Sequence, residues 1–298
     1  MDAAVVSVEG LRKSYGPVVA LDGIDFEVAE GEVFALLGPN GAGKTTTVEI
    51  LEGYRSRTSG EVRVLGEDPA TAGRTWRARI GVVLQEHGFR TQLTVAELLT
   101  LFAGYYPKRR PIDELLELAG LTEKAGTRVR SLSGGQQRRL ELALALVGDP
   151  QVVFLDEPTT GFDPSARRRA WDVVKNLCAL GTTVLLTTHY MDEAAHLADR
   201  LAIVSRGRIV AEGTPQAIAD RKIRAYRITF DLPPQVSVDK LPLPASVLNG
   251  TAVIETTEPV PDLHRLTAWA MRRKLDLPGL SVNPPSLEDL YLEITGDQ

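Results

Sequence analysis

Short apolar runs that stop at glycine, separated by longer amphipathic stretches, organise most of the chain. Val5–Val8 and Ile24–Val28 alternate or run apolar and end at Glu30-Gly31, the pattern of a small antiparallel layer. Glu32–Leu37 is a nearly continuous apolar run stopping at Gly38, as in a parallel strand covered on both faces. Thr45–Leu51 then has helical character, and strand-like runs recur at Ile80–Leu84, Gln151–Leu155, Thr182–Thr187 and Leu201–Ser205. Between Ile80–Leu84 and Gln151–Leu155 lies a helical region, roughly Thr94–Gly148, that includes Val95–Phe102, Ile112–Ala119 and Gln136–Val147. Buried strands alternating with helices predict an α/β fold around a mainly parallel core sheet, with an antiparallel β layer and a helical subdomain at about 86–150.

The pattern changes after Asp220. Pro233, Pro234, Pro242 and Pro244 punctuate β-like runs at Ala225–Phe230 and Ala252–Thr256, and Leu263–Lys274 reads as one amphipathic helix. The expected organisation is a domain over 1–220 and a small α+β appendage over 221–298. At 298 residues, with about 150 residues per domain as the guide, this division is ordinary. Hydrophobic residues at 43% and charged residues at 24% fit a chain with a full core, and exclude a disordered or collagen-like one. A formal net charge of −5 argues against a general nucleic-acid binder. The basic clusters Lys108-Arg109-Arg110, Arg167-Arg168-Arg169 and Arg272-Arg273-Lys274 are short and read as solvated surface. The single cysteine, Cys178, near the end of a predicted helix, reads as a packed small side chain in a reducing compartment. No basic n-region with an apolar h-region opens the chain, and no run approaches the roughly 20 apolar residues of a membrane span, so neither a signal peptide nor a transmembrane helix is expected.

The chemistry begins at Gly38-Pro39-Asn40-Gly41-Ala42-Gly43-Lys44-Thr45-Thr46, which fits G-x-x-x-x-G-K-[ST] between a predicted strand and a predicted helix. Glycines let successive backbone N–H groups point inward around a phosphate, and the helix presents its positive N-terminus. Lys44 can reach the β- and γ-phosphates, and the Thr45 hydroxyl can ligate Mg²⁺. The run Val152–Leu155 ends in Asp156-Glu157. Asp156 thereby stands at the sheet edge, where it would hold Mg²⁺ through water, and Glu157 is placed to orient or deprotonate an attacking water.

Leu132-Ser133-Gly134-Gly135-Gln136 precedes a predicted helix that continues with Gln137-Arg138-Arg139. Ser133 and the glycines can form a further phosphate-binding helix start, or a simple capping box with Gln136. A further cradle so far along the chain makes sense if it serves a nucleotide held by another subunit. At this point the sequence resembles the ATP-binding cassette (ABC) family of ATPases over most of its length. Gly38–Thr46 matches the family's Walker A, Leu132–Gln136 its signature, and Asp156-Glu157 the end of its Walker B. Gln85 occupies the place of the Q-loop residue, where the resemblance implies contact with the metal and coupling to a partner. His189, after the run Thr182–Thr188, occupies the switch-histidine place, implying contact with the γ-phosphate. Asp163 in Gly161-Phe162-Asp163-Pro164 matches the D-loop, with Phe162 where the family commonly has Leu. Tyr15 matches the aromatic residue that stacks on adenine.

The tail from Pro284 to Gly296, together with Gln85–Leu98, is similar to the ABC-2-type exporter group, the daunorubicin-resistance-like ATPases. What the resemblance implies is an ATPase with ATP and Mg²⁺ as cofactors, working as a head-to-tail homodimer on the cytoplasmic face of the cell membrane. A multi-span permease subunit would hold it there and export a drug-like or lipid-like compound. An importer ATPase is the alternative, and a soluble ABC ATPase acting on DNA or ribosomes a more distant one, since no heptad run, paired cysteines or duplicated cassette is present. A GTPase or kinase is disfavoured, because no Asn-Lys-x-Asp motif comes after the phosphate loop.

Overall fold

A computed structural model describes residues 4–83, 91–179, 181–222, 226–233, 236–248 and 250–283, and divides the chain into compact units at Met1–Pro215 and Gln216–Gln298. The first unit runs β1 (Ala4–Tyr15), β2 (Val18–Ala29), β3 (Val33–Leu37), α1 (Lys44–Leu51), β4 (Ser59–Val64), α2 (Arg74–Arg77) and β5 (Ile80–Val83). It continues with α3 (Val95–Ala103), α4 (Ile112–Leu118), α5 (Gly134–Leu146), β6 (Val152–Asp156), α6 (Pro164–Ala179), β7 (Thr183–Thr188), α7 (Met191–Leu197), β8 (Arg200–Ser205) and β9 (Arg208–Gly213). After α8 (Pro215–Lys222), the second unit holds β10 (Tyr226–Asp231), β11 (Ser246–Leu248), β12 (Thr251–Thr256), α9 (Pro259–Arg273) and β13 (Ser281–Asn283).

The core sheet has the order β5-β6-β7-β3-β8-β9, parallel except for the antiparallel edge strand β9. Every residue of β3, β6 and β7 is buried, as expected for parallel strands covered on both faces. A separate antiparallel layer has the order β2-β1-β4. Its strands run longer than their apolar stretches predict, because charged residues also pair across it. Arg12 stands opposite Asp22 in the register and bonds it, and Arg208 bonds the same carboxylate. Strand β4 is not marked by the sequence pattern, since only Val62 and Val64 on one face are buried. The two layers share one core, in which Phe26 stacks on Phe34 at 5.2 Å and Trp76 is fully buried. The Trp76 indole N–H donates to the Val64 carbonyl at 2.8 Å, tying α2 to β4.

The second unit is an antiparallel sheet ordered β11-β12-β10-β13, with a core that includes Ile228, Phe230, Ile254, Leu266 and Trp269. This is the α+β arrangement its alternating runs and amphipathic helix predict. The residues from 284 onward, which carry the tail resemblance, lie outside the described residues, as does Gln85.

Replacing Trp76 by Ala removes a fully buried ring and its bond to the Val64 carbonyl. The expected cost is about 3–5 kcal/mol, read as a lower midpoint in chemical denaturation of the full chain. A change below ~1 kcal/mol would mean that the joint between α2 and the antiparallel layer does not support the core.

Candidate functional site

Strand register creates the site. Leu37 pairs with Thr188, and Asp156 with Thr187, so β3, β6 and β7 end side by side. The segments leaving these strands are therefore delivered to one edge, the place where open α/β sheets bind ligands. They are the loop Gly38–Gly43 after β3, the pair Asp156-Glu157 at the end of β6 and the stretch Thr187–His189 at the end of β7.

Two glycines of the loop have no room for a side chain. A Cβ on Gly38 would lie 2.3 Å from the Val204 carbonyl oxygen, and one on Gly43, where φ is +109°, would lie 2.6 Å from Leu21 Cδ2. Inside the loop the Ala42 N–H donates to the Pro39 carbonyl at 3.2 Å, and the Ala42 carbonyl accepts from the Gly207 N–H at 3.0 Å. The Lys44 side chain is 4% exposed, and its ammonium donates to the carbonyls of Gly38 at 2.9 Å and Pro39 at 3.1 Å. Burial lowers its pKa, while Glu157 and Asp156 oppose that shift. Asn40, Gly41, Gly43, Lys44, Thr45, Thr46, Ala20 and Glu157 enclose a pocket of about 240 Å³.

The neighbouring carboxyls have different surroundings. Asp156 Oδ1 accepts from the Thr187 hydroxyl, and from the Thr45 hydroxyl at 3.3 Å. Burial still raises its pKa above the ordinary value, against those two bonds. Thr45 and Asp156 thus present hard oxygen atoms side by side, the donor chemistry that Mg²⁺ takes when phosphate oxygens and water complete its shell. Glu157 Oε1 lies 3.2 Å from His189 Nδ1 and 3.6 Å from Lys44 Nζ, and Oε2 accepts from the Thr160 hydroxyl at 3.1 Å. Burial works against its ionisation, but His189, Lys44 and Thr160 outweigh it and hold the carboxyl below the ordinary value. Its backbone sits at φ +46°, in the left-handed region. For a non-glycine residue that costs on the order of 1 kcal/mol, and such strain is kept only where surroundings impose it. Here the Glu157 N–H donates to the Thr187 hydroxyl at 3.0 Å.

The structure therefore brings together Lys44, Thr45, Asp156, Glu157 and His189, which the sequence motifs single out, and adds Thr187, Thr160 and Arg138, which they do not. Thr187 sits within β7, where it reads as β propensity, and Thr160 in the turn after β6, where it reads as a loop residue. Arg138 and Glu141 are legible as an Arg-x-x-Glu pair on the helix face that also carries Leu142 and Ala145. Both are buried, and Arg138 Nη1 bonds Glu141 Oε2 at 2.9 Å.

The remaining candidates lie on exposed features. The helix expected over Gln136–Val147 begins at Gly134 instead, because Ser133 caps it. The Ser133 hydroxyl accepts from the Gln136 N–H at 3.3 Å, and the Ser133 N–H donates to Gln136 Oε1 at 3.0 Å. Both glycines thus fall in the first turn, with Ser133 and Gly134 at the chain's outer surface. Asp163 caps α6 through the Ser165 N–H at 2.9 Å and the Ala166 N–H at 2.8 Å. Tyr15, 40% exposed, closes β1 with Lys13 and Arg55 over its ring at 4.9 and 5.4 Å. Cys178 is half-buried in α6, and burial pushes its thiol up to about 11, so it is no nucleophile. Elsewhere in the first unit a cleft of about 610 Å³ is lined by Tyr54, Val82, Phe102, Tyr106 and Leu144, with the carboxyls of Glu52 and Glu141 on its wall. Glu52 Oε1 is buried without a hydrogen-bond partner, and burial, reinforced by Asp156 and Glu49, pushes its carboxyl up to about 8.

Comparison with known proteins matches residues 21–160 to the family model "ABC transporter", and residues 226–286 to a model for the C-terminal domain of ABC transporter domain-containing proteins. The "Nod factor export ATP-binding protein I" of Paraburkholderia xenovorans (strain LB400) is 41% identical, over 99% of this chain and 98% of its own. The protein of the same name from Rhizobium meliloti (strain 1021) is 40% identical, over 98% of this chain and 88% of its own. Among solved structures, an ATP-binding subunit of an ABC transporter superposes with TM-score 0.65 at 28% identity, covering 73% of this chain and 92% of that one. A dimeric post-hydrolysis state of the cassette MJ0796, bound to ADP and Pi, gives 0.63 at 27% identity, covering 70% of this chain and 98% of that one.

Because the folded Glu52 carboxyl titrates at about 8 against 4.5 ordinarily, the folded chain keeps this proton where the unfolded chain releases it. Stability from this group is complete below the lower value and is lost as pH rises toward the upper one. Glu52→Gln is expected to flatten the fall in denaturation free energy between about pH 5 and 8. A wild-type minus variant difference that stays constant across that window would overturn the assignment of a protonated Glu52.

Proposed function

The chain belongs to the ABC transporter family of ATP-binding subunits, and from that premise we propose that it hydrolyses ATP to drive a separate membrane permease that exports a drug-like or lipid-like compound. The observation that carries the chemistry is the buried convergence of Lys44, Asp156 and Glu157 at the mouth of the phosphate loop. The direction of transport rests on relatives named for export that match this chain almost end to end.

The loop N–H groups and Lys44 bind and orient the β- and γ-phosphates, with Tyr15 stacking on adenine. Thr45 and Asp156 would hold Mg²⁺, with Gln85 added by resemblance; the ion supplies positive charge to the phosphate oxygens when bound. Glu157, held ionised by its neighbours, accepts a hydrogen bond or a proton from the attacking water. His189, beside Glu157, donates to the γ-phosphate. The start of α5, from Ser133 to Gln136 with Ser133 and Gly134 exposed, completes the nucleotide site of a second copy, and Asp163 borders that contact. Among the described residues no helix is long and apolar enough to cross a membrane, and the cargo path belongs to the permease in this reading. That permease would hold the chain at the cytoplasmic face of the membrane, its docking segment resting in the cleft beside the helical subdomain.

Glu157→Gln is expected to lower ATP turnover by at least about 100-fold, with nucleotide binding and ATP-dependent dimerisation on size exclusion retained. Turnover within ~2-fold of wild type would remove Glu157 from this role. The same variant, tagged and purified with ATP from membranes of its own host, is expected to bring down a multi-span membrane protein identifiable by mass spectrometry. Recovery of ribosomal or DNA-bound proteins alone would sink the transporter reading and leave the ATPase standing.

A further inference from the structure

Arg138 is a buried cation of the first unit whose guanidinium bonds backbone carbonyls as well as a carboxylate. Its Nε donates to the Pro158 carbonyl at 3.1 Å, and its Nη2 to the carbonyls of Asp156 at 3.0 Å and Glu157 at 3.4 Å. Its Nη1 donates to Glu141 Oε2 at 2.9 Å. One planar guanidinium therefore spans three consecutive carbonyls of the turn that carries the reacting carboxylate. The other side of the fork is anchored on a residue of the cleft wall.

This placement matters because the turn does not hold its shape unaided. Glu157 occupies the left-handed region at φ +46°, where a residue with a side chain persists only under constraint. The Thr187 hydroxyl restrains its N–H side, and Arg138 restrains the carbonyls before, at and after it. We propose that Arg138 is a positioning residue for ATP hydrolysis: its guanidinium clamps the turn Asp156–Pro158 so that the Glu157 carboxylate faces the attacking water. The proposal rests on the role of Glu157 as the group that engages that water.

The clamp acts through the geometry of the turn. His189, Lys44 and Thr160 are among the groups that hold Glu157 below the ordinary value, and the bonds from Arg138 to this turn described above run to its carbonyl oxygens. A lysine at this position keeps the charge and its reach toward Glu141, but an ammonium is a single compact point that cannot span the carbonyls in a plane. Rate should then fall without a change in the protonation behaviour of the site or in its hold on nucleotide.

The test is a double-substitution cycle on the full chain with ATP and Mg²⁺, comparing wild type, Arg138→Lys, Glu157→Gln and the pair, with KM, kcat and a thermal melt for each. Arg138→Met serves as a second variant that also removes the charge. Arg138→Lys is expected to lower kcat at least about tenfold, with KM within ~2-fold and the acid limb of the pH–rate profile unmoved. In the Glu157→Gln background the same change should alter the residual rate by less than about twofold, because the group being positioned is gone. An equal fold-loss in both backgrounds would make Arg138 merely structural, and wild-type kcat in Arg138→Lys would overturn the clamp outright. An unaltered rate in Glu157→Gln alone would instead strike the reading beneath the proposal, so the two failures are distinguishable. If Arg138→Met melts below the assay temperature, the folded lysine variant decides.

Discussion

The ionic contact between Lys44 and Glu157 is the constraint on which the rest of the site depends. Both side chains are almost fully buried, and they stand 3.6 Å apart, one at the start of α1 beyond β3 and one just after β6, strands that are not neighbours in the sheet. Taking both charges out of water is costly, and such a pair does little for stability compared with apolar residues of similar size. Its presence makes sense as preorganisation. The ammonium is held on two loop carbonyls and the carboxylate on Thr160 and beside His189, so neither has to search for its position. Each charge also has other support, Asp156 for Lys44 and His189 with Thr160 for Glu157, so the site is a network and not an isolated pair.

The same edge gives two adjacent carboxyls different surroundings. Asp156 points among hydroxyls and is pushed toward the neutral form by burial, whereas Glu157 points among cationic or polarisable donors and is held ionised. The left-handed backbone at Glu157 begins the turn that follows the strand ending at Asp156. The buried face of α5 meets that same turn through Arg138, and the cleft wall through Glu141, so site and cleft share one helix.

A large part of the fold was legible because the physics behind it is local and periodic. Continuous apolar runs ending at glycine or at a carboxylate pair identified strands such as β3 and β6, since strands covered on both faces have no polar side to display. The phosphate loop was legible because its geometry admits few residue types, as the close approaches at Gly38 and Gly43 make plain. Edges were less so. β1 and β2 outran their apolar stretches because ion pairs such as Arg12–Asp22 extend the ladder, and β4 shows only one short buried face.

The sequence by itself determined the chemical inventory of the chain: a glycine-rich loop with a lysine and threonines, the carboxylates that come after the apolar strand, and the helix cap at Ser133. Those are properties of residue type and short spacing, and they survive without knowledge of what lies opposite. Only the tertiary structure decided which of them meet. Thr187 reaches Asp156 because β6 and β7 pair in one register, and Arg138 reaches the Glu157 turn because α5 packs with its charged face inward. Pairings across sheet register and helix rotation join residues distant in the chain, and no local pattern encodes the partner of a buried charge.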